Sequence, residues 1–444
     1  MNMIIKGAKS ASFHPVSSPD YLPVEKLREL QLERLKKVVK RAYDNVKLTH
    51  DRMEEANVTP DSIKTLDDIR LLPFTIKYDL RDTYPKGLFA CPDEDIVRLH
   101  ASSGTTGKPI VVAYTRNDLK VWTETMARSL AAVGIGKHDI VQNSYGYGLF
   151  TGGLGAHYGA EELGAMVVPA SGGNTSRQIM LIQDFGVTAI TCTPSYFLHL
   201  LEEAQKMGIN MRNLPIRRGV FGAEPWTEEM RKYIEEASGI KAFDIYGLSE
   251  ITGPGVGCEC ECQCGLHIFE DYYYPEIIDP DTLEVLPDGK EGELVFTTLA
   301  KEAIPMIRYR TRDITSLVTE KCACGRTIRR ISKISRRSDD MFIIRGVNVF
   351  PSQIEAAILN EEKTLPNYQI ILTRSHGLDD VKVQIELTPE MYSDSSDVMA
   401  ALKERFSRAI ARVLNIRVAV TLLPPNSLPR SEGKAKRVVD NRNL

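Results

Sequence analysis

Short apolar runs alternate with longer amphipathic stretches through the middle of the chain, from Asp139 onward. The apolar runs lie at 140–141, 165–169, 187–193, 219–222 and 242–245. Strands separated in this way by helical segments predict βαβ units and a largely parallel sheet. Ligands of such sheets bind on loops after the carboxyl ends of the strands, so the residues that follow each run are the first site candidates.

The two ends of the chain carry different patterns. Residues 23–46 predict an amphipathic packing helix whose apolar stripe consists of Leu27, Leu30, Leu35, Val38, Val39, Ala42 and Val46. A strand is predicted at 293–298, after which the charged segment 333–340 interrupts the apolar pattern. We therefore predict a domain boundary near Asp339, with an N-terminal domain at 1–338 and a C-terminal domain at 339–444.

The C-terminal pattern is typical of a small α+β unit. Strands are predicted at 341–345, 368–373, 381–387 and 418–423, and helices at 352–360 and 397–413. The whole chain is therefore predicted to be an α/β protein, in which a large domain with mostly parallel sheets flanked by helices precedes a small α+β domain.

Composition and charge exclude several classes of function. Of the 444 residues, 43% are hydrophobic and 26% charged, the balance of a soluble globular protein. The formal net charge of -3 provides no global field toward nucleic acid or an anionic membrane, so neither is expected as a partner. The uncharged stretch 140–160 is too rich in glycine and polar residues for a spanning helix. The first residues lack the apolar core of a secretory signal, so we expect a cytoplasmic protein.

A segment rich in glycine and hydroxyl groups is the strongest local signal for a binding site. It reads ASSGTTGKP at 101–109. Its glycines allow close approach of an anion, its hydroxyls donate hydrogen bonds and Lys108 adds positive charge, which together suit a polyphosphate. It is not a Walker A loop, because Ser102 and Pro109 stand where that motif needs glycine and a hydroxyl residue. A flexible turn is the alternative interpretation.

The cysteines point to a metal. Most of them lie in two tight groups, and such clusters in a cytosolic chain indicate metal binding before disulfides. Zinc needs four soft or borderline ligands, of which Cys322 and Cys324 supply two. The candidates for the other two are Cys258, Cys260, Cys262, Cys264 and His267. Free thiols without a metal are the alternative.

Four separated motifs carry a specific resemblance. They are SSGTTGKP at 102–109, YGLSE at 246–250, YRTRD at 309–313 and GKAKR at 433–437. In this order and at these distances they resemble the adenylate-forming superfamily of acyl-CoA synthetases. The segments GLSEITGPGV (247–256), GLHIFED (265–271), RRSDDMFIIRGVNVFPSQIE (336–355) and LPRSEGKAKRVVD (428–440) closely resemble the phenylacetate-CoA ligase family. The resemblance covers most of the chain.

The resemblance implies an adenylate-forming fold with a mobile C-terminal domain and an AMP-forming acid:CoA ligase activity. In such a reaction a carboxylate attacks the α-phosphate of Mg-ATP, and the thiol of CoA then displaces AMP from the acyl-adenylate. Phenylacetate or a related aryl acid is the expected substrate. Two alternatives stay open: transfer of the acyl group to an amine or carrier protein, and a zinc-stabilised module that senses ATP without turnover.

The resemblance also assigns nucleotide-binding residues. Those expected at the phosphates are Ser103, Gly104, Thr105, Thr106, Gly107 and Lys108. Those expected at the adenine or in its flanking motif are Ala223, Glu224, Pro225, Asp244, Ile245, Tyr246, Gly247 and Ser249. Asp313 should accept hydrogen bonds from both ribose hydroxyls, and Arg337 should contact phosphate or ribose, with Arg336 as an alternative.

Two residues are expected to be catalytic. Glu250 is the predicted Mg²⁺ ligand, because a hard cation prefers carboxylate oxygen. Lys434, in a loop rich in glycine, serine and proline, is expected to bridge the carboxylate and the α-phosphate during adenylation, with Lys436 as a solvated neighbour. By the resemblance, Asp339 is the hinge of the small domain, and Gly346 and Val347 lie beside CoA.

The remaining predictions concern the acid pocket, the metal and assembly. Aromatic and glycine residues after the strand at 140–143 could form a slot for an aryl acetate, or simply pack the core: Tyr145, Phe150, Gly152 and Gly153, with Ile245 and Pro254 as further lining. Related ligases pair segments like those around the cysteines here, so the resemblance selects Cys260, His267, Cys322 and Cys324 as ligands of a structural zinc. A homodimer is expected from the family alone.

Overall fold

The computed structural model describes residues 13–102, 109–334, 336–338, 342–344, 347–361, 367–375, 378–431 and 435–442 of the chain. Within these residues the α-helices are α1 (Val24–Asn45), α2 (Lys47–Glu55), α3 (Lys77–Asp82), α4 (Arg116–Ala132), α5 (Thr151–Glu162), α6 (Thr175–Asp184), α7 (Pro194–Lys206), α8 (Glu228–Ser238), α9 (Pro351–Glu361) and α10 (Ser396–Leu414). Short 3₁₀ helices lie at Pro15–Tyr21, Pro60–Ser62, Leu66–Leu71, Asp93–Asp95 and Met211–Asn213.

The strands of the first part of the chain are β1 (Arg98–Ser102), β2 (Ile110–Tyr114), β3 (Ile140–Asn143), β4 (Met166–Val168), β5 (Ala189–Cys192), β6 (Arg218–Phe221), β7 (Lys241–Leu248), β8 (Gly253–Cys258), β9 (Leu266–Ile268), β10 (Tyr273–Ile278), β11 (Gly292–Thr298), β12 (Tyr309–Thr315), β13 (Leu317–Val318), β14 (Arg330–Ile331) and β15 (Arg336–Arg337). Those that follow are β16 (Phe342–Ile344), β17 (Val347–Val349), β18 (Asn367–Ser375), β19 (Leu378–Glu386), β20 (Ala419–Leu423) and β21 (Val438–Asp440).

The apolar runs of the sequence form neighbouring parallel strands, as predicted. The central sheet has the order β13-β14-β9-β8-β7-β6-β5-β3-β4, and its pairings from β7 to β4 are parallel. From β7 to β13 the pairings are antiparallel, and a second sheet, β10-β11-β12-β15, is antiparallel throughout. The α/β class is confirmed, but the description "mostly parallel" fits only one half of the central sheet. Short returns such as the turn between β7 and β8 join strands without a crossover helix, and such connections produce antiparallel pairs.

Both faces of the parallel half are covered, which explains why its strands are apolar runs rather than alternating sequences. Successive residues point to opposite faces: Val220 joins the core shared with α4 and α5, whereas Phe221 joins the core beneath α6, α7 and α8. The same alternation separates Phe243 from Ala242 on the next strand. Most of the predicted packing stripe of α1 is likewise buried, including Leu35 and Val39, whereas Leu30 is half-buried.

A fully buried ion network joins distant parts of the chain. Arg128 of α4 donates hydrogen bonds to Asp20 in the first 3₁₀ helix (Nη2 to Oδ1, 2.6 Å) and to Asp271 after β9 (Nη2 to Oδ1, 2.8 Å). Arg326 donates to the second oxygen of Asp20 at 3.0 Å. Asp20 and Arg128 have no exposed surface, so each charge depends on its partners.

The C-terminal elements have their own core. Sheet β20-β19-β18-β21 packs with α9, α10 and the β16-β17 hairpin around buried apolar side chains that all lie beyond position 341. The helices and strands predicted there from the sequence are confirmed. Asp339 itself is outside the described residues, and the predicted boundary at 338/339 stays a prediction.

Among the helices described, none is long and apolar enough to cross a membrane. The uncharged stretch 140–160 forms β3, a loop and most of α5 instead.

Candidate active site

The carboxyl ends of β6 and β7 approach each other closely. A side chain at Gly222 would place its Cβ 2.4 Å from the backbone oxygen of Ile245, so only glycine lets the chain leave β6 at this point. Ala223 follows with a φ of +70°, a strained conformation for a residue with a Cβ. This close approach brings the segment 223–225 together with the end of β7. The residues concerned in β7 are Asp244, Ile245, Tyr246 and Gly247.

Glu250 lies buried in the turn after β7, with 7% of its surface exposed. Burial and the neighbouring Glu250 carboxylate raise the pKa of Tyr309, so the phenol keeps its proton. Lys301, which is fully inside the protein, donates a hydrogen bond from Nζ to the carbonyl of Ile251 at 2.9 Å. Burial lowers the pKa of Lys301 to about 8, against the attraction of Asp118 and Glu250.

Sequence reasoning missed Lys301 and Tyr309 as neighbours of Glu250. Tyr309 opens the YRTRD motif and could have been found there. Lys301 carries only a weak signal, a basic residue in a segment that leads from a buried strand into the apolar run 303–307. Lys301 donates a hydrogen bond to the turn that carries Glu250, and the Tyr309 phenol lies near the Glu250 carboxylate.

Asp313 accepts hydrogen bonds from two of the predicted nucleotide-binding residues. Strands β12 and β15 pair so that Asp313 stands opposite Arg337, whose Nη1 donates to Oδ1 at 2.8 Å. The hydroxyl of Tyr246 donates to Oδ2 at 2.5 Å. Both carboxylate oxygens are therefore directed to one small region at the end of β7. Such a carboxylate can accept two hydroxyl donors in the same way.

The carboxylate of Glu224 accepts hydrogen bonds from two other parts of the chain. Its Oε1 accepts hydrogen bonds from the backbone nitrogen (2.7 Å) and the hydroxyl of Ser195 at the start of α7. Its Oε2 accepts from the backbone nitrogen of Ala435 at 2.8 Å. The carboxylate thus joins the strand ends to the C-terminal segment, and its assignment to adenine stays a prediction.

The predicted acid-pocket residues lie together after β3. The rings of Tyr145 and Phe150 have centroids 6.4 Å apart; Tyr145 is buried and Phe150 is 42% exposed. A Cβ on Gly152 would lie 2.4 Å from the Phe150 ring, and one on Gly153 would lie 2.5 Å from the backbone oxygen of Gly146. Gly153 is therefore required for close packing against the backbone at the start of α5, whereas a Cβ at Gly152 would require the exposed Phe150 ring to move. The assignment of these residues to the acid pocket stays a prediction.

The sulfur and imidazole ligands predicted for zinc converge. The ligand atoms of Cys260, His267, Cys322 and Cys324 all lie within 4.8 Å of one another, and the four residues are buried. Cys260 Sγ is 3.6 Å from Cys322 Sγ, and Cys324 Sγ is 3.4 Å from His267 Nε2. Tetrahedral zinc with Zn–S of about 2.3 Å requires separations of about 3.5–3.8 Å, so this donor set fits the ion.

The surroundings of this cluster favour a thiolate at Cys324, whereas a hydrogen bond with Cys324 and burial raise the pKa of Cys260. Hydrogen bonding from Cys260 and the adjacent His267 lower the pKa of Cys324 in spite of its burial. Cys264, an alternative ligand, lies 3.5 Å from Cys322 but is exposed and receives a hydrogen bond from Arg330 Nη1 to its sulfur at 2.9 Å. The cluster joins β9 and its preceding loop to the turn at 322–324.

Several predicted residues fall outside the described part of the chain. They are the phosphate loop 103–108, the hinge Asp339, Gly346 and the catalytic candidate Lys434. Their flanks are described: β1 and β2 pair up to Ser102 and Ile110 on either side of the loop. Val347 opens β17.

Comparison with known proteins identifies relatives over the whole chain. Residues 19–299 match the AMP-binding enzyme family, and residues 346–442 match the AMP-binding enzyme C-terminal domain. A phenylacetate-coenzyme A ligase from Thermus thermophilus is 52% identical over 95% of this chain and 98% of its own length. One from Pseudomonas putida is 54% identical over 94% of this chain and 95% of its own length.

Solved structures of 2-hydroxyisobutyryl-CoA ligase resemble the chain to different extents. The ligase in the postadenylation state with 2-HIB-AMP is 29% identical and superposes with a TM-score of 0.90, covering 99% of this chain and 94% of that chain. The same ligase with 2-HIB-AMP and CoA in the thioesterification state is 30% identical over the same coverage, with a TM-score of 0.72. The arrangement of this chain is therefore closer to the first state.

Proposed function

Because the chain belongs to the phenylacetate-coenzyme A ligase family of AMP-binding enzymes, we propose that it joins phenylacetate or a close aryl acid to CoA, converting ATP to AMP and pyrophosphate. The fold is the adenylate-forming fold. The observation that carries the proposal within the structure is the convergence of Glu250, Tyr246, Asp313 and Arg337 at the end of β7. This is where a doubly covered α/β sheet binds its ligands.

In the first half-reaction, a carboxylate oxygen of the acid attacks the α-phosphorus of ATP, and pyrophosphate leaves. The loop 103–108 would hold the β- and γ-phosphates, and Lys434 would lie between the acid and the α-phosphate, where negative charge concentrates. Mg²⁺, when bound, would neutralise phosphate charge, and the buried carboxylate of Glu250 is its proposed ligand. Tyr309 and Lys301 would keep the Glu250 turn in place.

The nucleotide would be positioned by the residues around Asp313. Its two carboxylate oxygens would accept hydrogen bonds from the ribose hydroxyls, either in place of those from Tyr246 and Arg337 or in addition to them. Arg337, freed toward the ligand, would contact phosphate or ribose. The adenine would lie against 223–225 and 244–246, where the strained Ala223 backbone brings the main chain close.

In the second half-reaction, the CoA sulfur attacks the acyl carbonyl carbon, and AMP leaves with the bonding electrons of the acyl–phosphate bond. We place Gly346 and Val347 beside CoA, Asp339 at the hinge, and the domain boundary at 338/339.

The slot for the aromatic ring of the acid would be formed by Tyr145, Phe150, Gly152 and Gly153. The exposed Phe150 would lie at its mouth.

Zinc, when bound, would have a structural role. Cys260, His267, Cys322 and Cys324 would fill all four positions of a tetrahedral ion, which leaves none open for a substrate. The ion would join the end of the central sheet to the loop after β13.

Homodimerisation and a cytoplasmic location also remain predictions. Sedimentation of the purified protein tests homodimerisation.

The test is a substrate panel. Purified protein with Mg-ATP is given aryl, short-chain and fatty acids, with and without CoA, while AMP is measured and products are identified by mass. An aryl acyl-CoA that forms only with acid, ATP and CoA together is expected. Acid-dependent pyrophosphate release without thioester would identify an adenylating enzyme with another acceptor, and no turnover of any acid would reject the proposal.

A further inference from the structure

Two carboxylates of the first part of the chain contact the C-terminal segment on either side of residues 432–434. Glu202, on α7, accepts a hydrogen bond from Arg430 (Nε to Oε2, 2.8 Å). Glu224, after β6, accepts one from the backbone of Ala435 at 2.8 Å. Both contacts join the first part of the chain to described residues that flank positions 432–434.

The Glu202–Arg430 contact is built more strongly than an ordinary surface ion pair. Arg430 also forms a bidentate pair with the buried carboxylate of Glu386, at 2.7 and 3.0 Å, which orients its guanidinium. Asn367 donates a further hydrogen bond to Glu202 at 3.1 Å. Although burial alone would raise it, the nearby His199, whose Nδ1 lies 3.8 Å from Oε2, and the hydrogen bond from Arg430 hold the pKa of Glu202 at about 2.

These contacts cross from the N-terminal part to the C-terminal part of the chain. Glu202 and Glu224 belong to the elements around the central sheet, whereas Asn367, Glu386 and Arg430 belong to the C-terminal α+β unit. The arrangement that contains these contacts superposes better on the postadenylation state of 2-hydroxyisobutyryl-CoA ligase than on its thioesterification state. The Glu202–Arg430 pair thus occurs in an arrangement of this chain that resembles one of two states of the relative more than the other.

We propose that Glu202 and Arg430 are positioning residues for adenylation: their ion pair holds the C-terminal unit, to which Lys434 belongs, against α7. The pair must open before the thioester step. This inference rests on the proposed ligase function and adds the residues that select the first half-reaction. Glu202 touches neither substrate nor nucleotide in this scheme, so its effect is exerted through the placement of Lys434.

The test separates the two half-reactions. Glu202→Gln removes the charge and leaves the Arg430–Glu386 pair intact, so the C-terminal unit keeps its own contacts. We expect phenylacetate-dependent ATP–pyrophosphate exchange to fall about five- to tenfold, the effect of losing one partly buried charged hydrogen bond. Thioester formation from supplied phenylacetyl-adenylate and CoA should stay within about twofold of the wild type or rise.

The matched control is Glu203→Gln, one residue along the same helix. Glu203 accepts a hydrogen bond from Ser176 and contacts Lys206, both within the first part of the chain, so both half-reactions should be unchanged. Glu202→Asp keeps the charge and should recover part of the lost exchange. Arg430→Gln should lower exchange at least as much as Glu202→Gln, because it also removes the pair with Glu386. Adding Glu202→Gln to Arg430→Gln should lower exchange no further, because the Glu202–Arg430 pair is already lost.

Small-angle X-ray scattering gives a readout that does not depend on turnover. Glu202→Gln should shift the curve away from the wild-type arrangement, whereas Glu203→Gln should not. Equal loss of both half-reactions, or exchange unchanged in Glu202→Gln and Arg430→Gln, would overturn the inference. If the wild type shows no exchange with any acid, the proposed ligase function is wrong instead. In that case, identical scattering of Glu202→Gln and the wild type would still reject a role of the Glu202–Arg430 pair in placing the C-terminal unit.

Discussion

Lys301 places a positive charge inside the protein beside the candidate magnesium ligand. Its ammonium group lies 4.3 Å from the centroid of the Tyr114 ring and donates to the carbonyl of Ile251, next to Glu250. Among the described residues Lys301 forms no ion pair, so burial of its ammonium group is costly and lowers its pKa. The hydrogen bond from this lysine to Ile251 ties it to the turn after β7 that carries Glu250.

The stability of the protein should therefore depend on pH through Lys301. Its folded-state pKa of about 8 lies below the ordinary value of 10.5, so between these values the unfolded chain binds more protons and stability rises with pH. Relative to Lys301→Met, the wild type should gain about 2 kcal/mol of unfolding free energy from pH 7 to pH 9.5. Urea denaturation measures this. The exposed Lys290→Met is the control, and a constant difference between wild type and Lys301→Met would contradict the prediction.

Lys434 is predicted to act only in adenylation. Lys434→Ala should lower acid-dependent ATP–pyrophosphate exchange by about two to three orders of magnitude, the loss of one preorganised group that stabilises developing charge. Thioester formation from supplied acyl-adenylate should survive, and stopped-flow assays of both steps measure the difference. Lys436→Ala, at an exposed neighbour, should leave both rates unchanged. Equal loss of the two steps would reject the role.

At the scale of elements, the cysteine cluster closes the antiparallel end of the central sheet. Strand β9 is only three residues long, and the turn at 322–324 packs against it through sulfur and imidazole rather than through a large apolar surface. A bound ion would supply the cohesion that so small an element lacks. Arg326 extends the same turn to the buried Asp20.

Cys324→Ser should therefore remove metal and stability together. The wild type is expected to contain about one zinc per chain by plasma emission spectrometry, and the variant much less. Its unfolding free energy should fall by about 3 kcal/mol or more, with a lower Tm. Cys91→Ser, outside the cluster, is the control for loss of a thiol. A variant with unchanged Tm and no metal in the wild type would refute a structural zinc.

The elements also show which parts of the fold a sequence reveals. Strand β5 could be predicted because Ala189–Cys192 is buried on both faces and is therefore a continuous apolar run. Strand β8 could not, because Gly253–Cys258 contains three glycines and a proline, residues that ordinarily interrupt strands. Its glycines are there for close packing: a Cβ on Gly255 would lie 2.7 Å from the sulfur of Met126.

The candidate site divides in the same way. Asp313, Arg337 and Tyr246 lie within recognisable motifs, and the structure brings them into contact. Arg430 lies in the 428–440 motif, but nothing in the sequence identifies Glu202 as its partner, because the two are 228 positions apart and meet only once both parts of the chain are folded. Long-range ion pairs of this kind are invisible to any reading of spacing or periodicity.

At the scale of the whole molecule, the buried network around Arg128 ties the first 3₁₀ helix to the rest. Arg128→Met should destabilise the protein by about 3–5 kcal/mol, because Asp20 and Asp271 would keep their charges inside the protein with fewer partners. Urea denaturation checks this. Arg116→Met, exposed at the start of the same helix, should change stability by less than about 0.5 kcal/mol. A similar small effect for Arg128→Met would contradict a cohesive role for the network.

The same network has a consequence for how the protein is made. Asp20 and its partner Arg326 are separated by 306 positions in the chain. At about 5–20 residues per second, roughly 15 to 60 seconds of synthesis separate the two. Until Arg326 has been synthesised, the Asp20 carboxylate lacks this partner, so the buried network around Arg128 can be completed only late in translation of the large domain.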